Sequence, residues 1–320
     1  MSSIVSQLSD IGLVPVVKIE RAEDAIPLAD ALIRGGLPCA EITFRTPAAA
    51  EAIRRISKAR PDLLVGAGTV LTCEQADTAM DAGAKFLVSP GLDARIVRYC
   101  LEKGYPILPG TSCPTDVQAA IALGLDAVKF FPAEAAGGLS MIKAMSAPYG
   151  NLKFMPTGGI HPENLNNYLS FPKIFACGGS WMVPAKLLDA GDFEGIERLT
   201  REAVHTMLGF ELKHVGINFD GEQAAEDAAQ TLEHLFSFEK NDVGNSIFSG
   251  GAFELMKHGG PGVHGHLAVG TNSVVRAVRY LKSRGAAFDD ASAVYGKSGE
   301  LLRIYLSQPI GGFAVHLVQK

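Results

Sequence analysis

The sequence predicts an α/β protein: a (β/α)8 TIM-type barrel over residues 1–206, then a smaller α+β domain of paired βαβββ-like modules over residues 207–320. Three observations carry this. Short apolar runs recur eight times at intervals of about twenty to twenty-seven residues, each short enough to be a buried strand. Helical patterns that end in glycine, such as "AEDAIPLADALIRGG", fill the gaps, and strand–helix alternation of this regularity implies right-handed βαβ units around a parallel sheet. After "EGIERLTREAVHTML" the spacing changes, and strands follow one another with a single helix per module. Eight units close a barrel; an open doubly wound sheet is the alternative.

The eight runs are "VPVVKI" from Val14, "AEITF" from Ala40, "LLVGAG" from Leu63, "KFLVSP" from Lys85, "PILPG" from Pro106, "AVKFF" from Ala127, "KFMPTGG" from Lys153 and "KIFACGG" from Lys173. The last part holds two similar passes. "FELKHVGINF", "GEQAAEDAAQTLEHLF" and "SIFSGGAFELMK" form the first; "HGHLAVG", "NSVVRAVRYLKSRGAAF", "ELLRIYLS" and "GGFAVHLVQ" form the second. They put His214 and His266 at equivalent places, and the first pass looks short of one strand.

Composition narrows the function. With 47% hydrophobic and 20% charged residues, the 320-residue chain has the profile of a soluble globular protein with a sizeable core. A net charge of -5 without a basic stripe speaks against nucleic acid. No run is long enough for a membrane span, and "MSSIVSQLSDIG" lacks the regions of a signal peptide. Five scattered cysteines, Cys39, Cys73, Cys100, Cys113 and Cys177, show no metal spacing and read as reduced thiols of a cytoplasmic protein.

Barrel chemistry gathers at the C-terminal strand ends. There the sequence offers Lys18 and Glu20 on the first strand, Glu41, Thr43 and Arg45 on the second, and Gly66, Gly68 and Thr69 on the third. Ser89 and Pro90 end the fourth, Lys129 sits on the sixth, and "PTGGI" and "CGGSW" end the last two. Gly158-Gly159 and Gly178-Gly179 allow backbone N–H groups to approach an anion, with the Ser180 hydroxyl beside them, where this fold commonly holds phosphate. Lys129 alternates with Val128 and Phe130 inside an apolar strand. If it faces the barrel axis, a partly dry pocket favours the neutral amine that attacks a ketone. The plainer reading is a structural lysine paired with Glu41, Asp126 or Glu134. Glu41 suits the base of a retro-aldol cleavage, against an ion pair with Arg45 or Lys18. Arg45 suits a planar carboxylate, with Thr69 assisting, against a surface salt bridge.

Together "EITFRT", "GAGTVL", "VSPGL", "VKFFPAE", "PTGGIHPENL" and "CGGSWMVPA" resemble the 2-keto-3-deoxy-6-phosphogluconate (KDPG) / 4-hydroxy-2-oxoglutarate aldolase family, in order from about Val14 to about Val204. The resemblance implies a trimeric class I aldolase of the Entner–Doudoroff pathway that needs no metal and takes a small keto acid. By motif it makes Lys129 the Schiff-base lysine and Glu41 the general acid/base. Arg45 and Thr69 become contacts of the pyruvate carboxylate, and Thr157, Gly158, Gly159, Gly179 and Ser180 contacts of substrate and phosphate. "PGTSCPTD" departs from the usual loop after the fifth strand, which leaves the preferred aldehyde open.

The last part needs a separate account. His214, Glu254, His266 and His316 are each flanked by apolar residues, so at period 2 each points away from the apolar face of its strand. Imidazoles and a carboxylate suit Zn, Ni, Mn or Fe. His264 is a spare candidate. The layout resembles the glyoxalase/vicinal-oxygen-chelate superfamily, with His316 where that superfamily more often has Glu; the plainer reading is a degenerate module for docking or oligomer contacts. Three functions follow: an aldolase with an accessory tail, a bifunctional enzyme with a metal-dependent activity in the tail, or a metabolite-sensing or oligomerisation module. Glu300 and Tyr305 are the candidate acids for a tail activity.

Overall fold

A computed structural model of the chain describes residues 3–320 and divides after Met207 into two units. The first is built on β1 (Leu13–Val17), β2 (Cys39–Thr43), β3 (Leu64–Gly68), β4 (Leu87–Val88), β5 (Ile107–Leu108), β6 (Gly110–Thr111), β7 (Ala127–Phe130), β8 (Lys153–Pro156) and β9 (Cys177–Gly179). The strands run parallel in the order β5-β4-β3-β2-β1-β9 and β6-β7-β8. Two features join these sheets into one curled ring. Single bridges Phe154↔Ile174 and Thr157↔Gly178 connect β8 to the last strand. On the other side, β5 and β6 are one strand interrupted at Pro109, which has no N–H to give; its carbonyl still accepts from the Lys129 N–H at 3.0 Å. The ring is the parallel arrangement of a (β/α)8 barrel.

The helices follow from local sequence. Ala25–Gly35 buries Ala25, Leu28, Ala29 and Leu32, which share one face at helical spacing. It stops at Gly36, whose φ of 93° suits only glycine. Thr72 caps the helix Cys73–Asp81 by accepting from the Gln75 N–H at 3.1 Å. Alternation in β7 sends Val128 and Phe130 outward, both fully buried, and leaves Lys129 for the interior.

The second unit is one eight-stranded sheet in the order β11-β12-β13-β10-β14-β17-β16-β15. Its strands are β10 (Glu211–Asn218), β11 (Lys240–Asp242), β12 (Ser246–Ser249), β13 (Phe253–Met256), β14 (Gly265–Thr271), β15 (Phe288–Tyr295), β16 (Leu301–Leu306) and β17 (Phe313–Gln319). Each half is a strand, a helix and three strands, so the first module is complete. Its extra strand, β11, is three exposed polar residues without apolar alternation, which is why the sequence hides it. The halves meet where β10 and β14 pair antiparallel, and within each half the first and last strands pair in parallel. Helix Glu222–Phe236 buries Ala225 and Ala229 against Ile247 and Leu255. Helix Val274–Ser283 packs on β16 and β17 and buries Val274 and Ala277. No helix among the described residues is long and apolar enough to cross a membrane.

Candidate functional sites

In the barrel, Lys129 Nζ lies 3.5 Å from Glu41 Oε1, with the two side chains 6% and 1% exposed. The Phe131 ring centroid is 5.2 Å from the same nitrogen. Glu41 Oε2 is buried with no protein hydrogen-bond partner. Gly68 on the neighbouring strand makes room for this carboxylate: a Cβ there would stand 2.1 Å from Glu41 Oε1. Of the alternatives read from sequence, the lysine takes Glu41. Glu134 instead accepts a hydrogen bond from the Tyr168 hydroxyl, which pushes the Tyr168 phenol well above its ordinary range, after burial. Lys18 pairs with Glu20 at 2.5 Å, and Arg45 bonds Thr69.

Around this pair the strand ends form a cavity of about 330 Å³ lined by Lys129, Arg45, Thr157, Gly158, Gly159, Gly179 and Ser180. Glu41 and Thr69 do not line it themselves but contact the lining residues Lys129 and Arg45. Arg45 Nε donates to Thr69 Oγ1 at 3.2 Å. Thr69 has a φ of 57°, a left-handed conformation that is strained for a β-branched residue, and the strain aims its hydroxyl at the arginine. Gly158 and Gly159, at φ 98° and 81°, turn the chain after β8. Their loop is strapped to the one after β7 by Ala133 N–H to Thr157 O at 2.8 Å and Glu134 N–H to Gly158 O at 3.0 Å. Gly178 has no space for a Cβ, which would meet Thr157 Oγ1 at 2.3 Å, and that buried hydroxyl has no partner in the protein. Lys18 and Phe131 also line the cavity. Phe131 carried no role in the sequence reading, and Lys18 figured there only as a strand-end residue and an alternative partner of Glu41.

In the second unit, ligand atoms of His214, His266 and His316 lie within 4.8 Å of one another. Glu254 Oε2 is 3.1 Å from His214 Nε2 and 3.0 Å from His266 Nε2, and the two imidazole nitrogens are 3.1 Å apart. Ser246 Oγ donates to the other carboxylate oxygen at 2.7 Å. The two imidazoles hold the Glu254 carboxyl far below the usual carboxylate range. Burial, then the neighbouring His266 and His214, pushes His316 down to about 4, so it is neutral at neutral pH. The register explains the convergence. Glu254 on the last strand of the first half stands opposite Gly216, two residues after His214; His316 stands opposite Ala268, two residues after His266. The halves thus contribute one pair each. Tyr305 stacks near His316, ring centroids 4.7 Å apart, whereas Glu300 accepts from the Ser298 N–H in a hairpin turn. His264 is exposed and lies against Phe313 rather than in the cluster. Gly265, at φ 122°, breaks the alternation that would have put it beside His266, and a Cβ there would meet Gly216 O at 1.9 Å.

Comparison with known proteins concerns the barrel. The family model described as KDPG and KHG aldolase matches residues 4–199. The 2-dehydro-3-deoxy-phosphogluconate aldolase of Treponema pallidum is 50% identical over 204 residues, 64% of this chain and 97% of that protein. The KHG/KDPG aldolase of Escherichia coli is 43% identical over 192 residues, 60% of this chain and 90% of its own length. Among solved structures, the KDPG aldolase of Legionella pneumophila, with pyruvate captured as a covalent carbinolamine intermediate, superposes with a TM-score of 0.61. It is 36% identical and covers 63% of this chain and 98% of its own.

Proposed function

The chain belongs to the KDPG and KHG aldolase family, an aldehyde-lyase family, and from that premise we propose that its barrel cleaves 2-keto-3-deoxy-6-phosphogluconate to pyruvate and glyceraldehyde 3-phosphate through an imine on Lys129, with 4-hydroxy-2-oxoglutarate as a second substrate. The observation that carries the reading is the buried Lys129–Glu41 pair against a cavity with phosphate-type glycine loops. Glu41 takes the ammonium proton, and the free amine adds to the C2 carbonyl. Glu41 returns that proton to the carbinolamine hydroxyl, which leaves as water, so the imine is protonated and Glu41 is again a carboxylate. Glu41, directly or through a water, then removes the C4 hydroxyl proton while the C3–C4 bonding pair moves into the imine, and the aldehyde leaves. The acid form of Glu41 returns the proton to C3 of the enamine, and hydrolysis frees pyruvate and the amine. Arg45, held by Thr69, grips the C1 carboxylate; Thr157, Gly158, Gly159, Gly179 and Ser180 hold the distal end and its phosphate. The working unit on this reading is a cytoplasmic homotrimer. Steady-state assays of the full chain should show pyruvate release from both keto acids, fastest from the phosphorylated one. Release from neither would overturn the reading.

A second reading applies to residues 208–320: His214, Glu254, His266 and His316 hold a divalent metal. Three ligand atoms separated by 3.0–3.1 Å form a triangle that hydrogen bonds alone satisfy poorly, since each bond wants to be near linear. One ion about 2.1 Å from each of them accounts for the spacing. Bound there, a metal would supply a Lewis acid for an oxygen-bearing ligand. The chain's own part is to keep His316 neutral and Glu254 ionised, the forms that ligate. Elemental analysis of protein made in metal-replete medium should find about one Zn, Ni, Mn or Fe per chain, lost in His214→Ala. Metal-free wild-type protein would sink the site.

A further inference from the structure

The glycine loops and Ser180 offer a phosphate only neutral donors. A dianion taken from water into a cleft is held more tightly where a counter-charge adds charge-assisted hydrogen bonds to them. Among the described residues, three cationic side chains line the barrel cavity: Lys129, Arg45 and Lys18. Lys129 is committed to the imine and Arg45, bonded to Thr69, to the carboxylate end. Lys18 is left, and its place in the sheet is specific. β1 lies beside β9 with Val14 opposite Gly178 and Pro15 opposite Gly179, so the register runs on to Val16 beside Ser180. Val16 and Lys18 both face the cavity, while Val17 and Ile19 between and beyond them are buried. The lysine therefore rises from the strand next to the Gly179-Ser180 loop, just beyond it towards the cavity mouth. Its side chain is half exposed and its ammonium lies 2.5 Å from Glu20, whose side chain is also half exposed. An exposed pair of this kind is weak and exchanges easily for a stronger anion.

We infer that Lys18 is the phosphate-recognition cation of the barrel and the residue that sets its preference for phosphorylated over unphosphorylated keto acids. On binding, the phosphate replaces Glu20 as its partner. This rests on the aldolase reading above and adds to it which charge selects the substrate. No covalent step involves the lysine; it is a specificity residue.

The test compares KDPG with the same sugar acid lacking its phosphate, on the full chain. Lys18→Ala should lower the ratio of kcat/KM values for the two substrates about ten- to hundredfold, chiefly through KM for the phosphorylated one, and Lys18→Arg should restore most of it. Inorganic phosphate should inhibit the wild type competitively and the alanine variant at least about tenfold more weakly. Equal losses on both substrates, or an unchanged ratio, overturn the inference. Borohydride with pyruvate separates the two levels. A Lys18→Ala protein that no longer traps pyruvate has lost the reaction centre itself, which refutes a role confined to phosphate. A wild type that traps pyruvate but cleaves neither sugar acid refutes the substrate reading and this inference with it.

Discussion

Lys129→Ala is expected to lower cleavage of both keto acids by at least about ten-thousandfold, because it removes the buried amine on which the imine forms. Borohydride reduction with pyruvate should add one pyruvate-derived mass to the wild-type chain and none to the variant. Lys129→Arg should be equally dead, since a guanidinium stays protonated and cannot add to a ketone. Stability is a competing explanation. The alanine leaves the Glu41 carboxylate buried at 1% exposure without its lysine partner, and breaking such a pair costs roughly 3–5 kcal/mol. The double variant Lys129→Ala/Glu41→Gln removes that buried charge. It should melt well above the single variant yet remain unable to trap pyruvate. Recovery of trapping in the double variant would mean that another residue forms the imine, and adduct formation in Lys129→Ala would mean the same.

What was legible in the sequence was whatever alternation and run length encode. Lys129 stood out because a charge inside "AVKFF" must face either a partner or a cavity. Glu41 and Arg45 stood out as polar groups at the C-terminal end of a barrel strand, where sites of this fold form. The internal repeat paired His214 with His266 by position alone, whereas the strand registers that bring Glu254 and His316 to them came only with the fold. What stayed hidden depended on contacts between strands or on strands without an apolar signature. β11, residues Lys240–Asp242, is polar throughout and exists because β12 offers it a ladder. At period 2 His264 shares a face with His266, but the positive φ of Gly265 turns the chain between them. Lys18 was visible as a strand-end residue, but its purpose depends on which loop lies next to it, and that is a property of barrel closure between β1 and β9.

Gly68 illustrates the same limit with a measurable consequence. By sequence it is one more glycine in "GAGTV"; in the barrel it is the space occupied by the Glu41 carboxylate. A Cβ at residue 68 would lie 2.1 Å from Glu41 Oε1 and 2.7 Å from its Cδ and Cγ. The backbone cannot retreat, because Gly68 pairs with Thr43 in the ladder and its carbonyl accepts from the Phe44 N–H at 2.7 Å. The side chain of Glu41 must therefore swing away and give up its 3.5 Å approach to Lys129. Gly68→Ala is expected to keep Lys129, the carboxylate clamp and the glycine loops, and so still to trap pyruvate with borohydride. Its kcat should fall about a hundred- to a thousandfold, the usual contribution of a positioned acid/base, with a smaller change in KM. Shortening the acid relieves the clash: Gly68→Ala/Glu41→Asp should cleave faster than Gly68→Ala alone, although Glu41→Asp by itself is slower than wild type. That reversal has no source in a merely destabilised barrel. Wild-type kcat in Gly68→Ala would show that the Glu41 carboxylate is not the proton carrier of the cleavage step.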